Sequence, residues 1–227
     1  MIGILAGMGP RSTGPFIDQV VTAFQSLMGA KYDIDFPPMM IYSLPTPFYV
    51  DRPIDDKLMK KTICEGLKKL EACGVTFIAM PCNTAHLYFT DLQDCIKVPL
   101  LNIVNATLAR VPRSTKKITI LATRPTLESR IYQKDLEDSH LPYAFDQSWQ
   151  KKIDDMIFNI KTSANYEEAI LIWKELSNNF CEVGIDTIIL ACTDLNVIFK
   201  SIHAPFHIID SSLCLAETIV KKWKEQL

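Results

Sequence analysis

Val75-Thr76-Phe77-Ile78-Ala79-Met80-Pro81-Cys82-Asn83-Thr84-Ala85-His86 is the stretch that decides the fold. Val75 to Met80 is a short, nearly unbroken apolar run, the pattern of a strand buried on both faces of a parallel sheet. At Cys82 the run breaks into Asn83-Thr84, a polar start of the kind that opens a helix. The order is therefore strand, cysteine, helix N-terminus. Ile185 to Ala191, followed by Cys192-Thr193-Asp194-Leu195, repeats that order in the second half of the chain.

Outward from these two segments the same alternation covers the sequence. Further strands are expected at Ile2–Gly7, Met39–Leu44, Leu100–Ile103, Ile118–Thr123 and Phe206–Ile209. Helices are expected at Gly14–Met28, Asp56–Cys73, Thr84–Cys95, Val104–Val111, Leu127–Ser139, Gln147–Lys161, Tyr166–Glu182, Leu195–Lys200 and Leu213–Glu225. Asn165 before Glu167-Glu168 reads as a helix start. Alternating strands and helices give an α/β class with mainly parallel sheets.

The chain also repeats itself. Ala6 aligns with Ala122, Cys82 with Cys192 and Pro99 with Pro205, offsets of 116, 110 and 106. Three anchors in one order at a nearly constant offset predict two similar, pseudo-symmetric α/β domains. Arg113-Ser114-Thr115-Lys116, polar and following Pro112, is the expected boundary. Residues 1–113 form the first domain, joined by a returning C-terminal helix within 211–227, and residues 114–210 form the second. Ligands of open α/β sheets sit beyond the carboxyl ends of the strands. Both cysteines lie at such ends, so the expected site is the cleft between the domains.

Composition limits the choices. A chain of 227 residues, 48% hydrophobic, can bury a full core. A net charge of −2 with scattered Lys and Arg offers no bulk attraction for nucleic acid or an anionic membrane. No apolar stretch approaches the ~18 residues of a membrane span. The N-terminus reads as a first strand rather than a leader. Seven cysteines, an odd number without a dense framework, fit a cytoplasmic location.

Inverting a carbon centre needs a proton removed on one face and returned on the other. Two thiols from opposite halves of the chain have the placement for that, and a helix N-terminus favours the thiolate. Against this stands the ordinary reading of free cysteines as buried core residues. That reading suits Cys64, Cys73, Cys95, Cys181 and Cys214, which fall inside apolar helical patterns. For Cys82 and Cys192 the repeat and matching context favour chemistry. No cysteine pair has C-x-x-C spacing, and Pro205 separates His203 from His207, so no metal site is expected. Gly7-Met8-Gly9-Pro10-Arg11-Ser12-Thr13-Gly14 lacks the spacing of a dinucleotide loop, and no cofactor is expected. Its glycines instead let backbone N–H groups approach a small carboxylate. Arg52, in a Pro-rich loop after the second strand, is either a bidentate carboxylate ligand or a solvated surface residue. By local sequence Lys161 is a solvated helix-end lysine.

With these residues in view, the chain resembles the aspartate/glutamate racemase family, in particular its cofactor-independent, aspartate racemase-like branch. The resemblance rests on Gly7-Met8-Gly9-Pro10, Asp51-Arg52, Met80-Pro81-Cys82-Asn83-Thr84-Ala85-His86, Leu121-Ala122-Thr123 and Cys192-Thr193, which span nearly the whole chain. It implies two similar α/β domains, often as a homodimer, and an isomerase that interconverts L- and D-aspartate, or glutamate, without pyridoxal. Cys82 and Cys192 would be the acid/base pair. Met8, Gly9, Asn83, Thr84 and Thr193 would hold the α-carboxylate and ammonium. Arg52 would pair with the side-chain carboxylate, Lys161 would supply a second cation, and Thr126 would line the pocket. The chain departs from the family pattern at Asp194, where relatives carry Glu, and at Pro125, where they carry Gly. Arg124 before it would add a third cation or point into solvent. The alternatives are a racemase of broader or uncharged specificity, and a catalytically silent amino-acid-binding protein.

Overall fold

The computed structural model describes every residue except 165, 200, 201 and 203. Each of the seven apolar runs forms a strand. β1 (Ile2–Ala6), β2 (Met39–Ser43), β3 (Phe77–Ala79) and β4 (Leu100–Leu101) make one sheet in the order β2-β1-β3-β4. β5 (Ile118–Ala122), β6 (Thr187–Ala191) and β7 (His207–Asp210) make a second in the order β5-β6-β7. Every pair of neighbours is parallel. β1, β3, β5 and β6 are buried along their whole length, which is why their sequences carry so little polar alternation.

The repeat extends to hydrogen-bond register. β1, β3 and β4 correspond to β5, β6 and β7. β2 has a counterpart reduced to one bridge, Tyr143 to Ile118. The Ile2 N–H donates to the Pro38 carbonyl at 2.9 Å, and the Ile118 N–H donates to the Pro142 carbonyl at 2.9 Å.

The longer helices are α1 (Thr13–Met28), α2 (Asp56–Ala72), α7 (Gln147–Ser163), α8 (Tyr166–Glu182) and α10 (Ser211–Lys224). Between them lie α3 (Phe89–Asp94), α4 (Ile103–Leu108), α5 (Arg124–Glu128), α6 (Gln133–Asp138) and α9 (Asn196–Phe199). Side-chain caps start several of them. Asp55 accepts from the Leu58 N–H, Asn102 from Val104 and Asn105, Asp146 from Ser148, and Asp210 from Ser212. α10 packs against α1 and α4, so the end of the chain returns to helices of the first half. A central core of Ile4, Phe16, Phe24, Ile120, Ile189 and Leu215 unites the two sheets. Separate cores lie under α2 and under α7 with α8. Among the described residues no helix is long and apolar enough to cross a membrane.

Several expected elements differ. The helix expected over Leu127–Ser139 is two helices, because Arg130 takes φ 59°, a left-handed conformation that an α-helix cannot pass through. Thr84–Tyr88 and Thr193–Leu195 are 3-10 turns, so no α-helix begins directly after either cysteine. The expected start at Asn165, the end at Lys200 and the residue His203 lie outside the described residues. Of the cysteines read as core thiols, only Cys214 is a buried free thiol. Cys64 on α2 and Cys95 after α3 form a disulfide with their Cα atoms 6.0 Å apart, and Cys73 and Cys181 are exposed.

Candidate active site

β1, β3 and β6 all end at one cavity of about 610 Å³ between the two halves. The first turn after β1 begins at Gly7, whose φ of +91° and close approach to the Leu44 backbone (2.6 Å from where a Cβ would stand) leave room only for glycine. Gly7 donates its N–H to Thr13 Oγ1 at 3.1 Å, and the chain then carries Met8 and Gly9 into the cavity wall. Ser12 Oγ donates to the Gly9 carbonyl at 2.8 Å and accepts from Thr193 Oγ1 at 3.2 Å, tying the β1 turn to the β6 turn.

Cys82 and Cys192 both face this cavity, at 8% and 5% exposure. Burial pushes the Cys82 thiol up. The Ala85 N–H, the Lys161 ammonium and the Thr84 N–H pull in the other direction, and Asp194 adds to the rise. Burial also raises Cys192, and Asp194 beside it raises it further, to about 12, against the pull of Lys161 and the Asp194 N–H. The expected depression by a helix terminus is thus reversed. Each cysteine is followed by one tight turn with little dipole, and removal from water is the larger effect. The two thiols also act on each other electrostatically.

A buried ion pair lines the same cavity and acts on both thiols. Lys161 reaches in from the last turn of α7, its Nζ 2.5 Å from Asp194 Oδ2 and 5.6 Å from the centre of the Phe48 ring. The lysine side chain is 17% exposed and the aspartate 3%. Burial works against the ammonium, but Asp194 and both cysteines together hold its pKa above the ordinary lysine value. A Cβ on Gly9 would stand 3.0 Å from Lys161 Nζ and 3.2 Å from Asp194 Oδ1, so the pair rests against that bare backbone.

The remaining expected residues divide into three groups. Thr84 and Thr193 line the cavity, and Thr84 Oγ1 lies 2.9 Å from Thr123 Oγ1 and 3.0 Å from Thr126 Oγ1. Thr126 itself, expected at the pocket surface, is 1% exposed and stands one layer behind; Thr123 lines the cavity in its place. Pro125 sits in the first turn of α5, and the hydroxyl of Thr126 turns inward to those of Thr84 and Thr123. Asn83 borders the cavity, but its amide is committed to the scaffold. Its Nδ2 donates to Ser211 Oγ at 3.0 Å, and its Oδ1 accepts from the Tyr132 hydroxyl at 2.5 Å. Arg52 lies at the rim in the loop after β2, paired with Asp51 at 3.1 Å and 4.5 Å over the Tyr49 ring. Asp51 raises its pKa further, and its side chain is 60% exposed. Arg124 pairs with Asp154 beside a smaller adjoining cavity of about 400 Å³.

Four contributors escaped the sequence reading. Asp194 was marked only as a departure from a family pattern; its signal was a charged residue two places after a strand-end cysteine. Tyr132 and Ser211, which hold Asn83, left no local signal. His86 closes the turn from behind: Nδ1–H donates to the Cys82 carbonyl at 2.7 Å, and Nε2 accepts from the Ile103 N–H at 3.2 Å.

Parallel sheets in two halves, with equivalent strand ends opening on one cleft, are the architecture of a two-domain racemase. The Asp/Glu/Hydantoin racemase family model matches residues 5–219, and the chain belongs to that family and is an isomerase of its class. It is 48% identical over 223 residues to the broad specificity amino-acid racemase RacX of Bacillus subtilis (strain 168), covering 98% of each chain. Among solved structures it is similar to the aspartate racemase of Picrophilus torridus, with 26% identity, a TM-score of 0.83 and coverage of 97% of this chain and 93% of that one. An aspartate racemase homologue from Pyrococcus horikoshii OT3 shares the fold at 24% identity, with a TM-score of 0.78 and 98% coverage of both.

Proposed function

We propose that the protein racemises free amino acids by two-base proton transfer between Cys82 and Cys192, without pyridoxal. The observation that carries this reading is the pair of thiols at equivalent strand ends, opening on one cavity with a lysine whose charge acts on both. A thiolate on one face takes the α-proton and the thiol on the other returns one. The enzyme ends with its proton on the first sulfur instead of the second. Charge that develops on the α-carboxylate in the transition state is met by the Lys161 ammonium and by the hydroxyls of Thr84, Thr123 and Thr193.

Side-chain specificity follows from charge and wall chemistry. Of the three cations that border the cavity, Lys161 is matched by Asp194 and Arg52 by Asp51, while Arg11 lies exposed at its edge. The walls beyond the thiols include Phe48, Val50, Met59 and Phe158, and the space exceeds the needs of aspartate. These features support broad specificity, in line with the name of the Bacillus subtilis relative. Two arginines favour aspartate, Arg11 at the cavity edge and Arg52 by leaving Asp51 for a substrate carboxylate.

The test is incubation of reduced protein in D2O with L-aspartate, L-glutamate, L-leucine and L-lysine, following α-proton loss by NMR and D-isomer by chiral chromatography. Exchange with several side-chain types, lost in both Cys82→Ala and Cys192→Ala, is expected. Activity on aspartate alone would overturn the breadth. Full activity in either cysteine variant would overturn the two-thiol mechanism.

A further inference from the structure

The repeat places Thr84 and Asp194 at equivalent positions, each two residues after its cysteine. The two thiols therefore have equivalent backbone settings and opposite neighbours. We propose that Asp194 is a positioning residue that keeps the resting proton on Cys192 and leaves Cys82 as the base of the free enzyme. This rests on the two-thiol reading above.

The geometry carries the argument. Cys192 Sγ lies 4.0 Å from Asp194 Oδ2, the thiol donating. A carboxylate accepts and cannot donate, and so does a thiolate. The contact is favourable only while Cys192 carries its proton. The carboxylate has little freedom to turn away, since Oδ2 is held at 2.5 Å by Lys161 Nζ and Oδ1 lies against the Gly9 backbone. Around Cys82 the hydrogen-bonding neighbours are donors, the N–H groups of Ala85 and Thr84, with a hydroxyl where the second half has a carboxylate; Asp194 acts on Cys82 through charge alone. The charged groups facing Cys192 are Asp194 on its own turn, Lys161 from α7, and Cys82 from the opposite half when ionised. The rise of Cys192 to about 12 is in the same direction.

The chemical consequence is an assigned first step. The enantiomer whose α-proton faces Cys82 meets the resting enzyme directly. The sulfur of Cys82 gains that proton, and Cys192 gives its own to the opposite face, becoming the thiolate that Asp194 disfavours. Return of the proton from Cys82 to Cys192 resets the site.

The experiment is alkylation of the intact protein by iodoacetamide between pH 6 and 11, with each cysteine quantified by peptide mass spectrometry. Exposed Cys73 serves as the reference and buried Cys214 as the monitor of unfolding. In the wild type, Cys82 is expected to react at least tenfold faster than Cys192 at pH 8. In Asp194→Asn the Cys192 profile moves down by a pH unit or more, a tenfold gain at fixed pH, while Cys82 changes less than threefold. Asp194→Thr, which copies the residue after Cys82, is the second variant and closes the gap between the two sites. Cys192 reacting as fast as Cys82 in the wild type overturns the proposal, whatever the variants do. So does an unchanged Cys192 profile in a variant whose Cys214 stays protected. Alkylation reads protonation without turnover, so this result and the deuterium-exchange result fail independently.

Discussion

Tyr132→Phe isolates one hydrogen bond behind the site. Tyr132 is fully buried, and its hydroxyl donates at 2.5 Å to Asn83 Oδ1, the residue beside Cys82. Its other neighbours are Thr107 Oγ1, at a marginal 3.5 Å, and the Ser211 side chain. Phenylalanine fills the same volume, so no cavity opens. What is lost is the donor to the side-chain oxygen of Asn83, a residue only 2% exposed. An acceptor stranded in this way costs about 1–3 kcal/mol. For a protein of this size each kcal/mol moves Tm by about 2–4 °C, so a loss near 2 kcal/mol lowers it by about 4–8 °C. The second readout is chemical. Asn83 is held from two sides, by Tyr132 and by Ser211, which in turn donates to the Leu190 carbonyl on β6. Releasing one side loosens the turn that aims Cys82 and slows α-proton exchange by about tenfold, the equivalent of about 1.4 kcal/mol. Circular dichroism melts and the D2O assay measure both. A Tm within about 1 °C of wild type, together with an unchanged exchange rate, would refute the role given to this bond.

Two further predictions concern elements that frame the site. Burial depresses the pKa of His86, and the carbonyls of Cys82 and Leu101 only partly offset this, so the folded protein holds the ring neutral. The stability it contributes is present above the unfolded value near 6.5 and is lost as pH falls through the lower folded value. Urea midpoints should therefore drop between pH 7 and pH 5 more steeply in the wild type than in His86→Gln; parallel declines would contradict the assignment. The Cys64–Cys95 disulfide closes a separation of 31 residues, which by loop-closure entropy is worth about 4 kcal/mol. Reduced protein and the double Cys64→Ser, Cys95→Ser variant should melt together and below the oxidised protein, and superimposed oxidised and reduced melts would rule this out.

The strands were legible because parallel strands buried on both faces leave unbroken apolar runs, as at Ile118–Ala122 and Thr187–Ala191. The repeat was legible for the same reason, and with it the meeting of Cys82 and Cys192 at one cleft. What stayed hidden depended on partners distant in sequence. Lys161 looked like a solvated helix end because Asp194, its partner, lies 33 residues on. Cys64 and Cys95 looked like core thiols because nothing local says that α2 and the end of α3 touch. Arg130 broke a helix without a glycine to announce it. The sign of the thiol shifts was misread because sequence shows a turn after each cysteine but does not show how far each sulfur is from water.

The halves match in their strands but not in what they send over the cavity. After β2 the first half inserts the long loop that carries Phe48 and Arg52, whereas the single bridge at Tyr143 passes almost at once into α7 and Lys161. A substrate therefore meets different walls on its two sides. Mirror-image amino acids have equal free energy in water, so the equilibrium constant of a racemisation is one, whatever the shape of the enzyme. It follows that kcat/KM must be the same in both directions. The unequal walls can make one isomer bind more tightly only by making it turn over more slowly in the same proportion. Any preference written into this cleft is a preference in saturation, and it leaves the final mixture unchanged.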